Sequence, residues 1–280
     1  MPSKKDAVYG DADSHPDTRL ESIEGIRSAI SASQRMITAK EQGAESDTHP
    51  HRPVYRPPML ILCILDDGSD DGEWVRLRAD KTVIGRSEGD VIIAHDAMMS
   101  SKHTSITRHV HKGGYRWLLS DLGSTNGTFV RISDTPIKHG QEILVGSRRF
   151  RFNAAPQGAA MIEETGESGK SAKTRGWQAV SPEDLIPSLV EIATTGDGQQ
   201  FMLRTTDHWI GRNAKQCSVV LTDDLMVSPR HCRLYRDGKG QWHLENAGSR
   251  NGTWVRINKI PLNTNAQFQL GEQRFFVRVV

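Results

Sequence analysis

Sulfur, aromatic side chains and long apolar runs are all scarce in this chain of 280 residues, which has three cysteines and 6% aromatics. Cys63, Cys217 and Cys232 have no CxxC spacing and, being odd in number, cannot all pair, which argues against a disulfide framework or a zinc ribbon. They read instead as small apolar residues in strands. No apolar stretch approaches the roughly 20 residues of a membrane-spanning helix. Met1-Pro2-Ser3-Lys4-Lys5-Asp6 leads into no apolar core of signal-peptide length, so a soluble, cytoplasmic protein is expected. Charge of one sign is missing too: 36 Lys and Arg against 34 Asp and Glu give a net +2 without an extended basic run, which disfavours nucleic acid as the partner. No Ser/His/Asp order and no paired carboxylates stand out. The chain therefore reads as non-enzymatic and without a cofactor.

What the chain does have is a long duplication. Gly123-Ser124-Thr125-Asn126-Gly127-Thr128-Phe129-Val130-Arg131-Ile132 returns as Gly248-Ser249-Arg250-Asn251-Gly252-Thr253-Trp254-Val255-Arg256-Ile257. Ile84-Gly85-Arg86 matches Ile210-Gly211-Arg212, and Met99-Ser100-Ser101-Lys102-His103 matches Val227-Ser228-Pro229-Arg230-His231. Ile143-Leu144-Val145-Gly146 matches Phe268-Gln269-Leu270-Gly271. The offsets, taken at the first Gly, His, Asn and last Gly, are 126, 128, 125 and 125. Four motifs in one order at a nearly constant offset mark two copies of a domain rather than a short solenoid repeat.

Hydrophobic content of 36% is low for a fully packed chain, so part of it is expected outside any core. Residues 1–57 are polar and read as a largely disordered N-terminal arm. Leu20, Ile23, Ile26, Ile30 and Ile37 fall near helical spacing there, fitting a short helix over about 18–40. Residues 58–155 and 187–280 have short β-type runs separated by Gly, Asp and Asn turns, and Trp117, Trp242 and Trp254 fall in such runs. That texture predicts an all-β fold of two β-sandwiches. Residues 156–186 have the composition of a flexible linker, with Ser181-Pro182-Glu183-Asp184 able to cap a short helix. Gly166-Glu167-Ser168-Gly169-Lys170-Ser171 imitates the end of a P-loop, but the required first glycine is Glu164 and no strand or helix flanks it. His95, His103, His109 and His111 are dense, yet His109 and His111 sit at strand spacing on one face with no Cys or carboxylate close by, so no metal site is expected.

The duplicated polar residues suit an anion. Arg86 can grip a tetrahedral anion through two parallel charge-assisted hydrogen bonds. Ser100, Ser101 and Thr125 add hydroxyl donors, and the amide of Asn126 can pair with a peptide backbone. Gathered in end loops of a sandwich, such a set fits a phosphate ester on a peptide.

These motifs (Gly-Arg, Ser-x-x-His, Ser-x-Asn-Gly-Thr and a late Gly) resemble the forkhead-associated (FHA) domain, twice. The resemblance covers about 58–155 and 187–280. It implies two eleven-stranded β-sandwiches whose end loops bind phosphothreonine peptides. By it, Arg86, Ser100 and Thr125 hold phosphate, while Ser101 and Asn126 contact phosphate or peptide backbone. Gly85 and Gly127 fill tight backbone positions and His103 braces the loops. The second copy keeps Gly211, Arg212, Ser228, His231, Asn251 and Gly252. It departs at Pro229, which loses a backbone donor and a hydroxyl, and at Arg250, which puts a cation where Thr125 stands. The spans from His103 to Ser124 (21) and His231 to Ser249 (18) differ, so the copies are expected to read different ligands.

The function expected is a phosphothreonine-binding adaptor downstream of a Ser/Thr kinase, its partners being the kinases or their substrates. The alternative is a phosphate-independent scaffold in a secretion or envelope assembly. A further expectation is intramolecular capture of a phosphorylated Thr18, Thr38 or Thr48 in the arm, or Thr165 or Thr174 in the linker.

Overall fold

The computed structural model describes residues 19–20, 59–112, 114–155 and 185–279. Among them the chain is all-β, built from short strands and turns with no α-helix. None of them forms a helix long and apolar enough to cross a membrane. Beyond the short strand Arg19–Leu20, the expected helix over 18–40 lies outside the described residues. So do the P-loop imitation, the Ser181 cap and the five candidate threonines.

Period-two alternation sets the strands. In Lys81–Gly85, Thr82 and Ile84 point inward, while Lys81 is exposed and Val83 half-buried. Asp207–Gly211 repeats the pattern with His208 and Ile210 inward. One sheet runs Lys259–Leu262, Gly114–Asp121, Thr104–His111, Lys81–Gly85 and Val91–Ile92. The last pair in that order is parallel, with Ile84 opposite Val91. Facing this sheet, Gly72–Leu77, Leu60–Leu65, Gln273–Val279, Ala266–Leu270 and Thr128–Pro136 pair successively antiparallel. Leu60, Leu62, Ile84, Ile106, Leu119, Val130, Phe268 and Phe275 fill the space between at no more than 1% exposure, the signature of a single packed core.

The compact units do not follow the repeats at 58–155 and 187–280. One unit joins the chain up to Thr135 with Thr253 onward, and the other is Pro136–Gly252. In the first unit the strands after Thr253 come from the second repeat. Thr253–Ile257 pairs with Thr128–Pro136 in a register where Thr253 faces Ile132, Val255 faces Val130 and Ile257 faces Thr128. Each residue thus meets the mirror position of its own duplicate. The physical reason is that equivalent strands carry the same inward pattern. Ile143 and Val145 in one repeat and Phe268 and Leu270 in the other are all buried, so the two hairpins offer the same inward pattern.

In the second unit Gly196–Met202, Ser188–Ala193, Arg148–Asn153 and Glu142–Val145 form one antiparallel run. Trp242–Asn246, Cys232–Arg236, Asp207–Gly211 and Val219–Val220 form the other, the last pair parallel. Phe152 and Trp242 meet at 5.8 Å between ring centroids. Trp117, Trp242 and Trp254 lie buried in strands, and the three cysteines are unpaired and buried. Cys63 and Cys232 sit in strands as expected, whereas Cys217 sits in a loop, its thiol 3.3 Å from the Pro229 carbonyl.

Candidate functional site

In the first unit the site starts where the strand Lys81–Gly85 ends. A Cβ on Gly85 would run into the carbonyl oxygen of Ser101, so only glycine allows this approach. The approach lets the Arg86 amide donate to the Ser100 carbonyl at 2.9 Å and the Glu88 amide to that of Ser101 at 3.0 Å. Arg86 and Ser100 are thereby held side by side. The Ser100 hydroxyl accepts the Thr125 amide at 3.1 Å, bringing in the second loop. The Asn126 side-chain amide donates to the Met98 carbonyl at 2.8 Å. The Ser101 hydroxyl accepts that of Ser87 at 3.0 Å.

His103 is fully buried and joins the two loops, as expected of a brace. Its Nδ1 accepts the Ser100 amide at 3.1 Å. Because an amide can only donate, Nδ1 is bare and the proton sits on Nε2, which donates to the Gly127 carbonyl at 3.1 Å. Burial holds the His103 pKa below its ordinary range, with the Arg256 cation adding to that and the Gly127 bond, Asp121 and Asp96 opposing it. Gly127 has φ +86° with the Arg256 guanidinium against it, so a side chain there would be both strained and obstructed. Arg86 is exposed; the one polar contact of its side chain among the described residues is a long 3.5 Å approach to the Ala97 carbonyl, and no carboxylate among them pairs with it.

The second unit rebuilds the arrangement. The Arg212 amide donates to the Ser228 carbonyl at 3.1 Å, and the Arg250 amide to the Ser228 hydroxyl at 3.3 Å. Asn251 reaches the Met226 carbonyl at 2.8 Å. His231 accepts the Ser228 amide at 3.0 Å and reaches the Gly252 carbonyl at 2.9 Å. Gly211 lies against the Pro229 carbonyl as Gly85 does against Ser101. The Arg212 Nε–H is buried with no hydrogen-bond partner among the described residues.

Three residues that sequence reasoning passed over hold these loops. Asp121 accepts the Gly123 and Ser124 amides at 2.9 and 2.8 Å and the Ser124 and Thr128 hydroxyls at 2.6 and 2.7 Å. Asp96 accepts the Met98 amide at 2.9 Å and the Glu272 amide at 2.8 Å, tying the segment before Ser100 to the Gly271 turn. Asp224 does the same with Met226 (2.8 Å) and Ser147 (2.7 Å) beside Gly146. Burial raises the Asp224 pKa, but the Ser147 and Met226 amides, the Ser147 hydroxyl and Arg148 outweigh it and leave the carboxyl below its usual range. Both late glycines therefore brace the site of the other repeat. Asp96 and Asp224 each stand four residues before the motif serine, a duplicated spacing that could have flagged them.

The FHA family model matches residues 82–146 and 208–271, covering both sets of loops. The chain carries two FHA domains in tandem. It is 28% identical over 67 residues to the FHA domain-containing protein FhaB of Mycobacterium tuberculosis, a match spanning 24% of this chain and 41% of that protein. Among solved structures, full-length yeast Pml1p is similar at 19% identity and a TM-score of 0.24, covering 35% of this chain and 67% of that one. Mycobacterium tuberculosis EmbR, solved with a low-affinity phosphopeptide, is similar at 21% identity and a TM-score of 0.23, covering 49% of this chain and 34% of that one. Of the other candidates, His109 and His111 lie toward the hairpin end of Thr104–His111, away from the FHA loops braced by His103. No group of three or more His, Cys, Asp or Glu among the described residues is placed to hold a metal ion.

Proposed function

We propose that the chain is a non-catalytic adaptor that reads phosphothreonine on partner proteins of a Ser/Thr kinase pathway. The observation that carries this reading is the same in both FHA domains. An arginine with no carboxylate partner stands beside a loop serine, fixed there by backbone hydrogen bonds. A guanidinium with no ion pair among the described residues, next to hydroxyl donors, suits an anion. The phosphate would lie between Arg86, Ser100 and Thr125, with Asn126 near the peptide backbone and Ser101 at the rim. Arg212, Ser228, Arg250 and Asn251 take these places in the second domain. Two domains on one chain would raise avidity by a factor on the order of 10² where a partner carries two phosphothreonines.

Binding of the full chain to matched phosphothreonine, phosphoserine and unphosphorylated peptide libraries tests the reading. Selective capture of phosphothreonine is expected. Loss of a bidentate charge-assisted contact in Arg86→Ala should weaken the first site about 50-fold. Equal retention of all three libraries would place the protein among phosphate-independent scaffolds.

A further inference from the structure

The two FHA loops share a backbone but not a charge. In the first, the segments 86–90, 100–103 and 123–127 hold Arg86 and Lys102 against Glu88 and Asp90, two cations and two carboxylates. Lys102 is already engaged with Glu88 at 3.1 Å. Their counterparts 212–218, 228–231 and 248–252 hold Arg212, Lys215, Arg230 and Arg250, with no carboxylate at all.

The geometry concentrates that difference at one point. Ser228 receives the Arg250 amide on its hydroxyl, and its carbonyl accepts the Arg212 amide. Two guanidinium-bearing residues therefore flank one serine, where in the first domain Arg86 and the neutral Thr125 flank Ser100. Arg250 is exposed and makes no ion pair among the described residues. Arg212 has a buried Nε–H with no acceptor among the described residues, and a ligand oxygen that accepts from it would satisfy that donor. Arg230, the neighbour of Pro229, lies over the Trp209 ring at 3.5 Å from its centroid. The nearby Asp207 carboxylate is hydrogen-bonded to Arg233 at 2.6 and 2.9 Å and also feels the Arg230 cation, so it offsets Arg230 in part while leaving Arg250 without an ion pair among the described residues.

From this we infer that the second FHA domain takes peptides in which the phosphothreonine is accompanied by a second anionic group, which Arg250 engages, whereas the first domain takes singly charged sites. The inference rests on the phosphopeptide reading above and names the ligand class of its second site. Arg250 is the residue that sets the difference. A phosphate dianion facing Arg212 and Arg250 together leaves further cationic surface from Lys215 and from Arg230, the latter only partly offset by Asp207, and a carboxylate or second phosphate on the peptide completes the match. Pro229, which costs the site the hydroxyl present at Ser101, fits a site relying on cations rather than neutral donors.

The test uses the full chain with Arg86→Ala, which leaves the second site to be read alone. Four peptides are titrated by calorimetry at fixed salt. They carry a phosphothreonine with neutral flanks, one with flanking Asp and Glu, a doubly phosphorylated pair, and the unphosphorylated acidic peptide. The two middle peptides should bind about tenfold more tightly than the neutral one, as an added charge-assisted contact supplies. They should lose that advantage in Arg86→Ala/Arg250→Thr and retain most of it with Arg250→Lys. Which of the two gains more identifies a carboxylate or a second phosphate as the partner of Arg250. Equal affinity of neutral and anionic phosphopeptides overturns the inference while the phosphopeptide reading stands. The same holds if the unphosphorylated acidic peptide binds as well as the phosphorylated one. Absence of phosphopeptide binding to Arg86→Ala, with binding intact in the unaltered chain, also overturns it. Failure of the unaltered chain to bind any phosphopeptide would instead remove the functional reading itself.

Discussion

The turn before the Ser-x-Asn-Gly loop is held by an aspartate in one FHA domain and by an asparagine in the other. Asp121 gathers two amides and two hydroxyls onto a charged carboxylate. Asn246, its counterpart, takes the Ser249 amide at 3.3 Å and the Ser249 hydroxyl at 2.6 Å on a neutral oxygen. The first loop thus spends its negative charge on internal order and presents neutral Thr125. The second needs none there and presents Arg250. One backbone can carry two recognition chemistries because the bonds that shape the loop use main-chain atoms and the serine and histidine of both copies. The side chains left over are free to diverge.

The comparison can be broken most severely at the strands shared across the repeats. Deleting Thr253–Val280 removes Phe268, Phe275 and Val277 from the first unit's core, and with them Arg256 beside Gly127 and Glu272 on Asp96, while leaving Arg86, Ser100, Thr125 and Asn126 in the chain. First-site peptide affinity is expected to fall more than tenfold, with loss of cooperative unfolding, as core removal on this scale implies. Unchanged affinity in a peptide titration would mean that the equivalent strands of the first repeat had taken their place.

Next in size is the pair Asp121→Ala and Asn246→Ala. Stranding donors around a lost carboxylate should cost about 2–3 kcal/mol, against about 1 kcal/mol for the neutral amide. Urea unfolding of the two variants measures both, and equal losses would erase the distinction drawn between the turns.

How much of this was legible in the sequence depends on what each residue does. Arg86, Ser100, His103, Asn126 and their duplicates are readable because a repeated polar motif in a β-rich chain has few structural reasons to persist. Asp96, Asp121 and Asp224 were passed over because an acidic residue at a turn looks like ordinary surface. Which repeat supplies the closing strands could not be read at all. Ile143-Leu144-Val145 and Phe268-Gln269-Leu270 offer nearly the same inward pattern, and the choice between them rests on tertiary packing. Cys217 differs for a related reason, since a small apolar residue fits a buried loop as well as a strand.

A smaller effect concerns pH. The His103 pKa is lowered in the folded protein, chiefly by burial, so the unfolded chain binds the proton more readily. The stability contributed by neutral His103 is therefore complete above its ordinary value of about 6.5 and is lost as pH falls from there toward the lowered value. Phosphopeptide affinity at the first site should decline over the same window. Comparing pH 7.5 with pH 5.5 in the native chain and in His103→Gln measures it, the variant showing the flatter profile.

The smallest effect is chemical. Burial first, then Asp71 and Asp66, pushes the Cys63 thiol up to about 12, so it should resist alkylation until the first unit opens. Cys217, raised by burial but relieved by Arg230 and by a hydrogen bond to its sulfur from the Asn213 backbone, should react sooner. Mass spectrometry after timed alkylation orders the two, and faster labelling of Cys63 would reverse the expectation.

The crossing of the chain at Pro136 and its return at Thr253 also impose an order in time. A ribosome that has finished Thr135 has delivered every residue of the phosphate site proposed for the first domain, yet not the strands that close the sheet behind it. At roughly 5–20 residues per second those strands arrive on the order of ten seconds later. Throughout that interval the nascent chain holds a complete recognition loop on an open sandwich, while the middle of the chain can already close upon itself. The domain that begins first is the one that is finished last.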